Sequence, residues 1–86
     1  MEQLLALRDR LQVVEDDLIA TGRRNVTIDG SAGVFTWVQQ GAGREPSQRL
    51  SAAAEMQEVE NAVVREGHDH LLVMTSHGTF TWYLAA

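Results

Sequence analysis

Three histidines and an aspartate stand close together in the second half of the sequence and are the residues best suited to hold a metal ion. They are His68, Asp69, His70 and His77. His70 begins a predicted strand and His77 follows the far end of that strand, so about 20 Å separate them at ~3.3 Å per residue. His68 and His70 could face the same way, but two ligands do not complete a zinc site, which takes at least three protein ligands. The sequence therefore predicts no metal site and no cofactor.

The second group able to do chemistry is a set of carboxylates on two predicted helices. These are Glu15, Asp16, Asp17, Glu58 and Glu60. Carboxylates act as general acids or bases only inside a cleft that positions them, and these five are predicted to lie on exposed helix faces. Ser31 and Ser76 lie in predicted turns without an adjacent base, so neither is an activated nucleophile. The sequence therefore predicts no catalytic residue and no enzyme.

A repeated aromatic pentad organises the elements that carry these residues. The motif Gly-Val-Phe-Thr-Trp at 33–37 returns as Gly-Thr-Phe-Thr-Trp at 78–82, and the two copies contain both tryptophans and both phenylalanines. Sliding residues 4–41 onto 49–86 without a gap gives 10 identities in 38 positions. Two hairpins drawing on the same few strand and turn residues would be the simpler explanation. The ungapped register through helix, loop and strands favours an internal duplication.

Each copy begins with a predicted amphipathic helix, at 3–21 and 48–66. Apolar residues recur at helical spacing in both. They are Leu4, Leu7, Leu11, Val14 and Leu18 in the first helix, and Leu50, Ala53, Met56, Val59 and Val63 in the second. Gly22 and Gly67 follow the last apolar positions and are predicted to end the two helices.

Two hairpins follow the helices, with predicted strands at 25–29 and 34–38 and at 70–75 and 79–84. The turn at 29–33 contains Gly30 and Gly33, two residues that are able to adopt positive φ. Because side chains alternate across a strand, one face of the sheet carries the large apolar residues. This predicted inner row is Val26, Ile28, Phe35, Trp37, Leu71, Val73, Phe80, Trp82 and Leu84.

The order helix-strand-strand, repeated once, predicts a single α+β domain over residues 1–86. The expected architecture is a two-layer sandwich in which two helices cover one face of a four-stranded antiparallel sheet. Residues 39–48 form the predicted connector between the copies. Trp37 and Trp82 are expected to be core residues beneath the helices.

The opposite face of the sheet has no helix left to cover it and is the first candidate interaction surface. Its candidate residues are Val34, Val38, Leu72, Met74, Thr81 and Tyr83. A face of about 350 Å² is comparable to the largest apolar patch of an ordinary monomer. It is either a mixed solvent-facing surface or an interface, with a second copy of the chain or with a different partner.

Charge and composition narrow the classes of partner. The 86 residues carry a net charge of −5, and all seven basic residues are dispersed arginines, which disfavours direct binding of nucleic acid. An acidic surface suits a basic protein partner. There is no cysteine, no apolar run of the ~20 residues that cross a membrane, and no recognisable secretory signal. The expected location is therefore the cytoplasm.

These observations lead to two functional hypotheses. In the first, the chain is a small acidic module that acts as an inhibitor or adaptor of another protein, for example a basic protein that itself binds nucleic acid. Immunity and anti-defence proteins of bacteria and phages work in this way, and the acidic helix faces or the open sheet face would make the contact. In the second, the chain is a structural homodimer or assembly subunit joined through the open sheet face.

Overall fold

The computed structural model describes residues 2–41 and 47–85, with side chains from residue 6 onward. These ranges contain two helices and five strands. They are α1 (Glu2–Ala20), β1 (Asn25–Asp29), β2 (Gly33–Gln39), β3 (Gln48–Ser51), α2 (Ala54–Arg65), β4 (His70–Met74) and β5 (Gly78–Leu84). The predicted α+β class is confirmed. The predictions for positions 42–46 of the connector and for the Leu4 side chain lie outside the described residues.

The sheet has five strands rather than four and is mixed rather than antiparallel throughout. The strand order is β3-β1-β2-β5-β4. The hairpins β1–β2 and β4–β5 are antiparallel, and so are the two central strands β2 and β5. At one edge β3 runs parallel to β1. The prediction of a four-stranded antiparallel sheet is therefore wrong at this edge.

The additional strand β3 takes the place of the first residues of the predicted helix 48–66. Leu50 lies opposite Ile28 of β1 and packs against the core. The guanidinium of Arg49 donates two hydrogen bonds of 2.6 Å to the carboxylate of Asp29, and the Ala52 N–H donates to the Asp29 carbonyl. These contacts with β1 override the good helix propensity of the segment, so the helix starts only at Ala54.

Both helices cover one face of the sheet, and their apolar stripes merge with its inner row into one core. The buried apolar residues are Leu7, Leu11, Leu18, Val26, Ile28, Phe35, Trp37, Met56, Val59, Val63, Leu71, Phe80 and Trp82. Val73 is only partly buried. Leu84 is 43% exposed, so its prediction as an inner residue is wrong. It ends β5 opposite Gly33, which offers no side chain to pack against.

The two copies meet at the centre of the sheet. The strands β2 and β5 pair so that the threonine of one pentad lies opposite the threonine of the other. On either side, each phenylalanine faces the tryptophan of the other copy. Ring centroids are 6.3 Å apart for Phe35 and Trp82, and 6.2 Å apart for Trp37 and Phe80. The aromatic pairs therefore tie the repeats together through the core.

Both helices end at the predicted glycines. Gly22 and Gly67 have φ of 78° and 82°, and their N–H groups donate to the carbonyls of Ile19 and Val64. These contacts satisfy carbonyls that the last helical turn would otherwise leave without a partner. Neither helix of the described ranges has the length and apolarity needed to cross a bilayer.

Candidate functional site

Glu15 and Glu60, predicted to lie on exposed acidic faces, are both fully buried. That prediction is wrong because each carboxylate points from its helix into the sheet and not toward solvent. Each one accepts a hydrogen bond from the indole Nε1–H of a core tryptophan: Glu15 from Trp37 at 2.8 Å and Glu60 from Trp82 at 2.9 Å. The helix and the aromatic row of one repeat are thereby linked.

The Glu60 carboxylate also binds the turn between β1 and β2, which belongs to the other repeat. The backbone N–H groups of Ala32 and Gly33 donate to it at 2.8 and 2.9 Å. The Ser31 hydroxyl donates at 3.2 Å and the Gln57 amide at 2.9 Å. Gln57 in turn accepts from the Ser31 N–H through its amide oxygen. Glu60 thus holds the turn as a cap made of helix side chains.

Glu15 repeats this arrangement on the turn between β4 and β5. The His77 N–H donates to the carboxylate at 2.8 Å and the Gln12 amide at 3.1 Å, while Thr75 donates through its hydroxyl. The amide oxygen of Gln12 accepts from the Ser76 N–H at 2.9 Å. Each repeat therefore supplies the carboxylate that orders the turn of the other. We call the two arrangements the carboxylate caps.

The caps keep the two buried carboxylates ionised. Burial alone would raise the pKa of Glu15, but hydrogen bonds from Thr75, Trp37, the His77 N–H and Gln12 together hold that pKa below its usual value of 4.5. The pKa of Glu60 is lowered in the same way: burial opposes the shift, and donors led by Trp82 outweigh it. The charge is stabilised chiefly by hydrogen-bond donors, so the caps form an anion site already filled by the protein's own carboxylates.

Glycine is required beside the caps because there is no room for a side chain. A Cβ at Gly33 would lie 2.2 Å from the Tyr83 carbonyl oxygen, and one at Gly30 would lie 2.2 Å from the Glu60 carboxylate. Neither glycine has positive φ. Close approach of neighbouring atoms, rather than a left-handed backbone, is therefore the reason for glycine at both positions. Thr75 occupies the position that corresponds to Gly30 and uses its side chain to bind Glu15.

The surface left open by the helices is the outer face of the sheet, which we call the open face. Cross-strand register arranges it in rows: His70, Tyr83 and Val34 in one, Leu72, Thr81, Thr36 and Thr27 in the next, and Met74, Thr79 and Val38 in the third. Leu72, Met74 and Tyr83 are 66%, 69% and 62% exposed. Val38 is also exposed, whereas Val34 and Thr81 are half-buried.

The open face has two halves of different character. On the side formed by β2, β5 and β4 lie the large apolar side chains, and we call Val34, Val38, Leu72, Met74 and Tyr83 the apolar band. On the β1–β3 side the Arg49–Asp29 ion pair and a 2.8 Å hydrogen bond between the Thr27 and Ser47 hydroxyls make the surface polar. Five of the six predicted sheet-face residues therefore form one apolar region, and Thr81 lies within it.

The other three predicted acidic residues are exposed, so the acidic surface contains fewer carboxylates than the sequence predicts. Asp16 and Asp17 are exposed on α1, and Asp16 accepts a hydrogen bond from Gln12. Glu58 on α2 is 2.7 Å from the Arg10 guanidinium, which neutralises part of its charge. With Glu15 and Glu60 buried, no continuous row of free carboxylates runs along the described helices.

The histidines do not converge on one site. The His70 ring pairs with Asp69 at 2.8 Å, whereas the His77 ring hydrogen-bonds the Ser76 hydroxyl at 2.8 Å and lies 3.6 Å from Glu15. Within residues 2–41 and 47–85, no cluster of three or more histidine, cysteine, aspartate or glutamate side chains could hold a metal ion.

Two open grooves flank the helix pair at positions related by the repeat. The larger one, of about 410 Å³, has Arg10, Glu58, Arg65 and His68 among its lining residues. The other, of about 320 Å³, is lined at corresponding positions by Asp17, Arg23 and Glu55. The Arg10–Glu58 ion pair occupies part of the larger groove.

Comparison of the chain with protein-family models, curated proteins and solved structures gave no match.

The carboxylate caps were missed from sequence, although two signals pointed to them. Glu15 lies four residues after Leu11 and three before Leu18, inside the apolar stripe of α1. Glu60 has the same spacing between Met56 and Val63. Gln12 and Gln57, three residues before each glutamate, are also identical between the copies. A charged residue inside an apolar stripe, repeated identically, indicates a buried polar contact.

Proposed function

We propose that the chain is a non-catalytic protein-binding module, acting as an inhibitor or adaptor of another protein, and that the apolar band is its binding surface. The observation that carries the proposal is the exposure of Leu72, Met74 and Tyr83, each above 60%, on adjacent strands of a sheet face that no helix covers. Contiguous exposed apolar residues on a soluble domain mark interaction sites. Tyrosine and methionine are also among the residues enriched in protein interfaces.

The charge distribution supports apolar rather than electrostatic recognition. Glu15 and Glu60 are committed to the caps, and Glu58 is paired with Arg10. A partner that read a row of carboxylates would therefore not meet Glu15 or Glu60 on the surface, and it would meet Glu58 already paired. Binding through the apolar band should therefore depend little on ionic strength, since screening acts on exposed charges.

A pair of matched substitutions tests the binding surface. Tyr83→Asp places a charge in the apolar band, whereas Val13→Asp places the same charge on α1, where Val13 is 52% exposed. The immobilised wild-type chain is used to isolate the partner, whose affinity for each variant is then measured by titration calorimetry at low and high salt. The expected result is at least a tenfold loss of affinity for Tyr83→Asp, about 1.4 kcal/mol, and none for Val13→Asp.

Two outcomes would contradict this assignment. Equal affinity of the partner for the two variants would show that the apolar band is not the binding surface. Binding that weakens steeply with salt and is lost in Asp16→Lys would instead place the contact on the acidic face of α1. Far-ultraviolet circular dichroism of each variant controls for folding.

A further inference from the structure

The outer edge of β4 offers backbone groups that the sheet does not use. No strand of the described ranges pairs with this side of β4. In the hairpin, the Thr75 N–H donates to the Gly78 carbonyl. Because ladder hydrogen bonds alternate along an antiparallel strand, the N–H and C=O groups of His70, Leu72 and Met74 then point away from β5.

The corresponding edge of the other hairpin is covered, which shows what β4 lacks. There β3 pairs with β1, and at the end of the ladder the Ala52 N–H donates to the Asp29 carbonyl at 2.9 Å. The equivalent carbonyl on β4 is that of Met74, and it accepts a 3.2 Å hydrogen bond from the Arg8 side chain. Arg8 thus closes one end of the β4 edge and leaves the rest open.

The two outer edges of the sheet also differ in their protection against pairing. The free edge of β3 is four residues long and presents Gln48, Arg49 and Ser51, all exposed. Short, charged edge strands discourage edge-to-edge association. The five residues of β4 contain no aspartate, glutamate, lysine or arginine and expose Leu72 and Met74. The β4 edge therefore lacks the features that keep the β3 edge unpaired.

We propose that β4 pairs antiparallel with β4 of a second copy of this chain, about a two-fold axis at Leu72. The two five-stranded sheets then join into one sheet of ten strands. In this register Leu72 of one chain lies opposite Leu72 of the partner subunit, and each Met74 lies opposite His70 of the partner subunit. The outward N–H and C=O groups of Leu72 in one strand meet those of Leu72 in the other, and each Met74 N–H meets the carbonyl of His70 of the partner subunit.

Charges at the ends of β4 select a second copy in the antiparallel direction. Asp69, whose side chain is 80% exposed, precedes the strand, and exposed Arg8 sits at the opposite end beside Met74. Antiparallel pairing brings Arg8 of each chain next to Asp69 of the partner subunit. Parallel pairing would instead place the two arginines together. Within one chain the two ends are roughly 17 Å apart at ~3.3 Å per residue.

Edge pairing uses the backbone of β4 and leaves the open face uncovered. It places the two apolar bands side by side on one continuous sheet. The inference therefore goes beyond the binding role proposed above, and either one can fail while the other holds.

The first test compares Leu72→Pro with Leu72→Thr. Proline removes the outward N–H without touching an inward hydrogen bond and is tolerated at a sheet edge, whereas threonine keeps the N–H and removes the apolar side chain. Light scattering over a concentration series is expected to show a dimer, twice the 9.5 kDa of the chain, for wild type and Leu72→Thr. Leu72→Pro should be a monomer. A monomeric wild type, a dimeric Leu72→Pro, or a monomeric Leu72→Thr would overturn edge pairing.

The second test reverses charges and does not depend on how proline is tolerated. Arg8→Asp and Asp69→Arg should each weaken dimerisation about fivefold to tenfold, since each creates two like-charge contacts. Mixing the two variants should restore a heterodimer, because each supplies the charge that the other needs. Rescue within one chain is excluded by the distance between the two ends. Absence of rescue in the mixture would overturn the proposed direction of pairing.

Discussion

At the residue scale, the buried carboxylates account for half of the 10 identities between the two copies. Five of the identical pairs belong to the caps or to the turns and indoles that they bind. These are Gln12/Gln57, Glu15/Glu60, Ser31/Ser76, Gly33/Gly78 and Trp37/Trp82. A carboxylate without its donors would be costly inside a core, so glutamate, tryptophan and turn have to be kept together.

Replacing a cap glutamate by glutamine should destabilise the fold without altering its shape. Glutamine retains an acceptor, but its amide directs N–H groups at other donors. For Glu60→Gln we expect a loss of about 1.5–3 kcal/mol at neutral pH, in the range of hydrogen bonds to charged groups. Urea unfolding followed by tryptophan fluorescence measures this loss. Glu58→Gln, on the same helix but exposed, is the control and should change stability little.

The same caps should make the protein acid-sensitive. The pKa values of Glu15 and Glu60 are lower in the folded state than their usual value of 4.5. Their stabilisation is therefore complete above about pH 4.5 and is lost as the pH falls through the lower folded pKa. The stability difference between wild type and Glu60→Gln should shrink on acidification. A difference that stays constant from pH 7 to pH 3 would contradict this account.

Two glycines with different roles offer a second comparison at this scale. Gly22 has positive φ but open space around its Cα, so Gly22→Ala should cost only about 1–2 kcal/mol. Gly33→Ala would press a methyl group against the Tyr83 carbonyl and the Trp82 indole, and it should cost clearly more. Thermal unfolding measures the loss of stability in both variants. Equal losses of stability would show that the turn can move aside to accept the methyl group.

Local sequence patterns predict which aromatic residues are buried but do not predict their hydrogen-bond partners. Strand alternation correctly identified buried Phe35 and Trp37 because that signal is local. The partner of each indole is 22 residues away, and no local pattern specifies it. The charge of Glu15 and Glu60 predicts exposure to solvent, whereas their positions within the apolar stripes of the helices indicate burial.

At the element scale, the main difference from expectation is β3. Its residues suit a helix, and three alanines follow it. What makes it a strand is the exposed backbone of β1 together with Asp29, which lies 20 residues earlier and pairs with Arg49. The helices, hairpins and glycine stops were predictable because their periodicities and turns are local. The pairing of β3 with β1 was not, because it depends on residues that are distant in sequence.

Position in the sheet predicts a hierarchy of local stability. The strands β2 and β5 pair on both sides, and their inner rows are buried. The strand β3 pairs on one side over four residues. Amide hydrogen exchange should therefore be slowest in β2 and β5 and much faster in β3. Protection of β3 equal to that of β2 would mean that the edge is more firmly bound than its contacts indicate.

At the scale of the whole molecule, the two repeats are interlocked rather than merely adjacent. Each cap joins a helix of one repeat to a turn of the other, and the central aromatic pairs cross between them. The inner sides of the helices and the inner face of the sheet are buried by this assembly. The open face and the β4 edge remain free to interact, and both are most apolar at the same side of the sheet.

The most direct test of this account maps amide hydrogen exchange of the wild-type chain with and without its isolated partner. We predict added protection concentrated in β4 and β5, around Leu72, Met74 and Tyr83, with α1 and α2 unchanged. Protection confined to the exposed faces of α1 and α2 would contradict the claim that the apolar band is the binding surface.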